Sequence, residues 1–186
     1  MIYFIDGELI AEQGEARVYL YDNLLHLEIG PGHNLWMVES EIKELSNQIA
    51  DKPRGNCLEI GLGLGIASKY ILSSPKVDSL TTVEINSDVI AVQQLVNRID
   101  DIRHNIVHMD GFKFMLQTDE KYDFIFFDNY SIIDEDTLEI LKNYVKAAEK
   151  ILTKNGIISA WFDPYTPEED ALKFFGILKR AVYEIK

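Results

Sequence analysis

The chain is expected to fold as an α/β protein: a parallel sheet covered by helices on both faces, preceded by a small antiparallel β-meander. Three observations predict this. From Asn56 onward, strand-like runs alternate with helical segments. The runs at 57–60, 80–85 and 122–127 are nearly continuous in apolar or β-favouring residues, as strands buried on both faces are. Before residue 36 the runs are short and are broken by Asp6-Gly7, Asp22-Asn23 and Gly30-Pro31-Gly32, which are turn signals.

Taken in order, 2–5 is an apolar strand, 8–11 its return, and 16–21 and 24–29 a further pair, all in the meander. Residues 36–50 carry Met37, Ile42, Leu45 and Ile49 at roughly helical spacing and predict one amphipathic linking helix. Strands follow at 57–60, 80–85, 105–108, 122–127 and 157–162. Helices are expected at 66–72, 87–99, 111–116, 134–152 and 167–182. Ser87 or Asp88 stands near the N-cap of the second of these, and Asn155-Gly156 ends the fourth. The boundary falls at 51–55. It divides 1–50, the meander and linking helix, from 51–186, a nucleoside-binding domain.

The 186 residues include 18 Lys+Arg and 31 Asp+Glu, a formal net charge of −13. That charge excludes a nucleic-acid binder that works by neutralising phosphates, and it argues against an anionic membrane surface. It permits cationic ligands. A single cysteine, Cys57, rules out an internal disulfide and a cysteine-based zinc site. His104 and His108 have no metal-spaced partners and read as structural, as does His26; His33 precedes Trp36 in a Gly-rich turn and could face a substrate. No metal is expected. The first residues lack the basic start of a signal peptide, and no apolar run approaches the roughly 18 residues of a membrane span. A cytoplasmic location is expected.

The strongest chemical signal is Leu58-Glu59-Ile60-Gly61-Leu62-Gly63-Leu64-Gly65-Ile66-Ala67. A buried strand runs into three alternate glycines and then a helix. The glycines let backbone approach a ligand, and the helix turns its free N–H groups toward it. Glu84 ends the next strand about twenty residues on, the distance at which a carboxylate accepts ribose hydroxyls. After Gly61 and Gly63, a dinucleotide fingerprint needs a small residue at Ile66, and no Walker-type Gly-Lys-Ser/Thr is present. A nucleoside without phosphates, such as S-adenosylmethionine, remains.

The segment 59–65 resembles the first motif of class I S-adenosylmethionine-dependent methyltransferases, which have a Rossmann-like α/β sandwich. Val83-Glu84-Ile85-Asn86-Ser87-Asp88, Asp110-Gly111-Phe112-Lys113-Phe114 and Tyr122-Asp123-Phe124-Ile125-Phe126-Phe127-Asp128 resemble more particularly the spermidine synthases and their methyltransferase relatives. In that branch a β-hairpin domain precedes the nucleoside domain. The resemblance implies that Gly61, Gly63 and Gly65 line the methionine and ribose part, with Glu59 near the ligand's amino group. It implies that Glu84 binds the ribose and that Asp110 accepts from the adenine amine beside Gly111 and Phe112. Asp128 falls where spermidine synthases carry the catalytic aspartate. Phe127-Asp128-Asn129-Tyr130 is also similar to guanidinoacetate methyltransferase, where an aspartate-x-tyrosine serves a cationic nitrogen substrate.

Two differences turn the expectation toward methyl transfer. Spermidine synthases have an aspartate between the last glycines, where Leu64 stands here. They follow the catalytic aspartate with Ser-Ser-Asp-Pro, where this chain has Asn129-Tyr130-Ser131-Ile132. The expected function is therefore methyl transfer from S-adenosylmethionine to a small cationic amine. Asp128 would hold the amine and take its proton, and Tyr130 would assist; general-base help of this kind is worth about 10²–10⁴-fold. The alternatives are an aminopropyltransferase using decarboxylated S-adenosylmethionine to make a polyamine, and a nucleoside-binding module without catalysis. The usual antiparallel hairpin after the last helix is absent or reduced in 181–186, so an open sheet edge and a homodimer are expected.

Overall fold

The computed structural model of the chain describes residues 7–32, 34–39, 42–130, 133–163 and 165–178. Four antiparallel strands come first: β1 (Glu8–Gln13), β2 (Ala16–Tyr21), β3 (Leu24–Ile29) and β4 (Asn34–Val38), paired in that order. The β2–β3 hairpin turns at Asp22 and Asn23, with φ of 50° and 60°. Short polar side chains tolerate this left-handed conformation, and its twist suits a tight hairpin. Val18 stands opposite Leu27, and Leu27 opposite Met37, so one face of the sheet is apolar and buried.

The helix α1 (Ile42–Ile49) leads into five parallel strands: β5 (Gly55–Ile60), β6 (Val77–Glu84), β7 (His104–His108), β8 (Tyr122–Phe127) and β9 (Leu152–Ala160). Their order in the sheet is β7-β6-β5-β8-β9. Between them run α2 (Ile66–Ser73), α3 (Ser87–Val96), α4 (Gly111–Gln117) and α5 (Glu135–Ile151), with α6 (Glu168–Ile177) last. The chain steps outward from β5 through β6 to β7, then returns to the far side of β5 as β8. That reversal makes a topological switch point, where a crevice opens at the carboxyl ends of the strands.

Strand alternation sorts the core into two layers. Cys57, Phe124 and Phe126 face α2, and Leu58, Ile60, Ile125 and Phe127 face α5 and α6. The first layer also holds Val18, Leu27 and Met37 together with Leu64, Val89 and Val92. The antiparallel sheet therefore shares a core with the parallel one. Helix starts are set by side chains: Asn86 accepts from the N–H groups of Asp88 and Val89, Asp110 from Lys113, and Asp134 from Thr137. The last bond holds the Asp134 carboxyl below the usual carboxylate range.

Three expectations change. The helix proposed for 36–50 begins only at Ile42, because Trp36 and Met37 belong to β4, where pairing with β3 outweighs the helical spacing. Asn155-Gly156 does not end α5 but lies within β9, beside a register shift between Tyr122 and Phe124. A Cβ at Gly156 would press on the Tyr122 carbonyl at 3.0 Å, so glycine marks an irregular strand here rather than a helix stop. The cap of α3 is Asn86, one residue before Ser87. The strand expected at 2–5, His33, and the end of the last helix with 181–186 lie outside the described residues. None of the described helices is long and apolar enough to cross a membrane.

Candidate functional site

A cleft of about 380 Å³ lies at the switch point. Its floor is the end of β5 and the glycine turn. Gly61 has φ of 99°, and a Cβ there would collide with the backbone carbonyl of Asp128. Its N–H donates to the Val83 carbonyl at 2.9 Å, and the Asp128 N–H to the Ile60 carbonyl at 2.8 Å. Three strand ends are thus drawn together with no room for a side chain between them. Gly63, with φ of 49°, faces Met37 of β4, whose sulfur accepts from the Leu64 N–H at 3.4 Å. Gly65, with φ of 75°, is the N-cap of α2.

Seven of the ten expected site residues meet in this cleft: Gly61, Gly63, Glu84, Asp110, Gly111, Asp128 and Tyr130. Glu84, only 8% exposed, ends β6. One of its oxygens accepts from the Leu62 N–H at 2.9 Å and the other from the Asn86 N–H at 2.8 Å. One oxygen of Asp110 accepts from the Lys113 N–H at 2.8 Å as the cap of α4. Gly111 packs its bare Cα against Ile60. Tyr130 donates from its hydroxyl to the Trp161 carbonyl at 2.8 Å and sets its ring edge toward Trp161 at 6.2 Å.

Three expected residues do not line the cleft. Glu59 is fully buried beneath the turn, because strand alternation points it to the α2 side of the sheet. There it accepts from the hydroxyls of Ser68 and Thr82, and burial pushes its carboxyl up to about 8. Gly65 sets the start of α2 instead. Phe112 packs on Tyr144, with ring centres 5.6 Å apart. His26 is buried with neither ring nitrogen hydrogen-bonded to a described residue and packs edge-on against Tyr21 at 5.8 Å, a structural role. Cys57 is buried too; desolvation raises its thiol to about 12, so it is inert.

The sequence reading missed one wall. Leu27, Ile29, Leu35, Trp36 and Met37 of the antiparallel sheet face the turn across the cleft. The β3–β4 register shifts between Leu27 and Glu28, which leaves Trp36 as the extra residue. Such a bulge re-aims side chains, and three consecutive residues of β4 reach the cleft. Trp161 follows β9 directly, its N–H donating to the Phe127 carbonyl at 2.7 Å. A position at the carboxyl end of a sheet strand was the available signal for Trp161. Nothing in the local pattern announced Trp36.

The lining carries three acids, Glu84, Asp110 and Asp128, and no Lys, Arg or His among the described residues. It suits a cation with hydroxyl and amine donors. No group of acids, histidines and cysteine among the described residues is arranged to hold a metal.

The glycine turn, the acids at successive strand ends and the switch-point cleft define a protein of the class I methyltransferase fold. Within that class, the spermine/spermidine synthase domain matches residues 39–175, and the chain belongs to that family. It is 28% identical over 187 residues to a polyamine aminopropyltransferase of Saccharolobus solfataricus, covering 96% of this chain and 58% of that one. A ribosomal RNA small subunit methyltransferase A of Malacoplasma penetrans is 29% identical over 160 residues, covering 83% and 55%. The crystal structure of spermidine synthase from Thermotoga maritima superposes with a TM-score of 0.72 at 18% identity, over 93% of this chain and 62% of that one. That identity speaks for the fold alone. The chain spans less than two thirds of the length of each of these proteins.

Proposed function

We propose that the chain is a transferase that moves an aminopropyl group from decarboxylated S-adenosylmethionine to a small cationic amine. This is the alternative among the sequence expectations, and family membership favours it over methyl transfer. The observation that carries it is the charge of the cleft. Three acids and no described basic side chain favour a sulfonium bearing only an ammonium over one that also bears a carboxylate. When bound, the nucleoside would supply a carbon already activated by positive sulfur.

Glu84 retains lone pairs for the ribose hydroxyls, and the second Asp110 oxygen is suited to the adenine amine. Gly61 and Gly63 allow backbone to lie against the ligand. Asp128 would hold the acceptor amine and take its proton as nitrogen bonds to the methylene, the C–S bond breaks and a neutral thioether leaves. Trp36, Tyr130 and Trp161 offer ring faces and edges to the apolar part of a polyamine and to its charges. The meander and linking helix, 1–50, would then be the cover of a nucleoside-binding unit at 51–186.

A second reading, methyl transfer, is favoured by one observation. Leu64 stands where spermidine synthases carry an aspartate, and it is fully buried beside Met37, so no carboxylate reaches the cleft from there. An RNA acceptor does not suit a net charge of −13.

The deciding experiment incubates the protein with each sulfonium and a panel of diamines and polyamines, and identifies the nucleoside product by mass. Methylthioadenosine from the decarboxylated compound is expected, and adenosylhomocysteine from the other would overturn the reading. Asp128→Asn is expected to lower kcat by about 10²–10⁴ while leaving nucleoside binding intact. Binding of either nucleoside without turnover on any amine would leave a binding module.

A further inference from the structure

Glu59 lies outside the chemistry assigned above, yet it is the most deeply enclosed acid near the cleft. It is 0% exposed and projects from β5 just before the glycine turn. One oxygen accepts from Ser68 of α2 and Thr82 of β6, and the other has no hydrogen-bond partner among the described residues. Thr82 in turn meets Nε2 of His104 on β7 at 2.9 Å, and His104 is partly exposed. On its own strand the nearest titratable group is the Cys57 thiol. No described cation pairs with Glu59, and the charges that act on it are those of Asp128 and Glu84. A carboxyl that is desolvated, lacks a counter-ion and stands near two acids favours its neutral form.

Asp128 and Glu84 also border the space assigned to the sulfonium. A permanent positive charge placed there reverses the balance that keeps the carboxyl neutral. We propose that Glu59 is a proton-coupled counter-charge for the bound sulfonium. It is neutral in the ligand-free protein near neutral pH and ionised once the cation occupies the cleft. The proton leaves to solvent, and Thr82 and His104 lie between Glu59 and the surface. Glu59 is thus a positioning residue that acts through charge without touching ligand. The inference rests on the functional reading above, which supplies the cation. It implies that the neutral thioether product loses this attraction as the C–S bond breaks, which would hasten its release.

Calorimetry in two buffers of different ionisation enthalpy tests this on the intact chain. The ligands are decarboxylated S-adenosylmethionine and methylthioadenosine, which share the nucleoside and differ in charge. At pH 7.5, binding of the sulfonium is expected to release roughly half a proton and binding of the thioether none. Sulfonium affinity is expected to rise about 3–10-fold from pH 6.5 to 8.5, with thioether affinity constant. Glu59→Gln should remove both the release and the pH dependence. Equal proton counts for the two ligands, or a release that persists in Glu59→Gln, overturn the inference while the functional reading stands. Binding of neither ligand overturns both. If Glu59→Gln does not fold, Thr82→Val must raise the midpoint of the affinity–pH curve by removing a donor to the carboxylate. An unchanged midpoint overturns the inference.

Discussion

The carboxylate of Glu84 ties the end of β6 to the glycine turn, accepting the Leu62 N–H at 2.9 Å while its other oxygen accepts from Asn86. The acid assigned to the ribose therefore also fixes the loop against which the ligand would rest. Hydrogen bonds to charged groups are worth about 1.5–3 kcal/mol, so Glu84→Gln is expected to weaken nucleoside binding by roughly 10–100-fold. Glu84→Ala strands two backbone N–H groups, at about 1–3 kcal/mol for each that is left unsatisfied, and should lower the urea midpoint as well. Isothermal titration and urea unfolding of both variants check this.

Gly61 and Gly176 should respond in opposite ways to the same substitution. A methyl at Gly61 meets the Asp128 carbonyl at a φ of 99°, and backbone strain of that kind alone costs about 1–3 kcal/mol. Gly61→Ala is expected to destabilise the fold and abolish nucleoside binding. Gly176 lies in α6 with nothing among the described residues within 4 Å of an added Cβ. Gly176→Ala should gain about 0.5–1 kcal/mol through helix propensity, read from urea unfolding.

Trp36 is 44% exposed and stands in the wall given by the antiparallel sheet. Truncating a half-exposed residue on a bulge should change stability by no more than about 0.5 kcal/mol. If this ring covers the amine as proposed, removing it should raise the KM for the amine by about 3–30-fold. Steady-state kinetics of Trp36→Ala with kcat nearly unchanged would fit that role. A large loss of stability with no change in KM would contradict it.

Glu59 gives the fold a pH dependence of definite sign. Its carboxyl is raised from 4.5 to about 8 by burial, so between those values the folded state holds a proton that the unfolded state has released. Its contribution to stability is complete below the unfolded value, falls as pH rises through this window, and levels off above about 8. Glu59→Gln, neutral at every pH, should flatten this decline. Urea midpoints measured from pH 5 to 9 are expected to converge at the acid end and to favour the variant at the alkaline end.

Much of this was legible in the sequence because it is local. The Tyr122–Phe127 strand, the Glu135–Ile151 helix and the three alternate glycines are written in short-range periodicity and backbone freedom. So are Glu84, Asp110 and Asp128, since each stands at or just past the carboxyl end of a parallel strand, the edge where open α/β sheets bind ligands. Errors arose where distant segments decide. Trp36 and Met37 fit a helix by spacing, but Met37 pairs with Leu27 and Trp36 is carried in the bulge of the same strand. Gly156 looks like a helix stop but lies in β9 where an added Cβ would press on the Leu152 side chain and the Tyr122 carbonyl.

The sequence by itself determined the alternation of strands and helices from β5 onward, the glycine turn and the row of acids at or just past the strand ends. Only the tertiary structure decided which side chains line the cleft. It enclosed Glu59 and Leu64, and it brought Trp36 and Met37 from the antiparallel sheet to complete the cleft. The reason is physical: periodicity fixes the face of an element to which a residue belongs, whereas exposure and charge state depend on what the rest of the chain packs against that face.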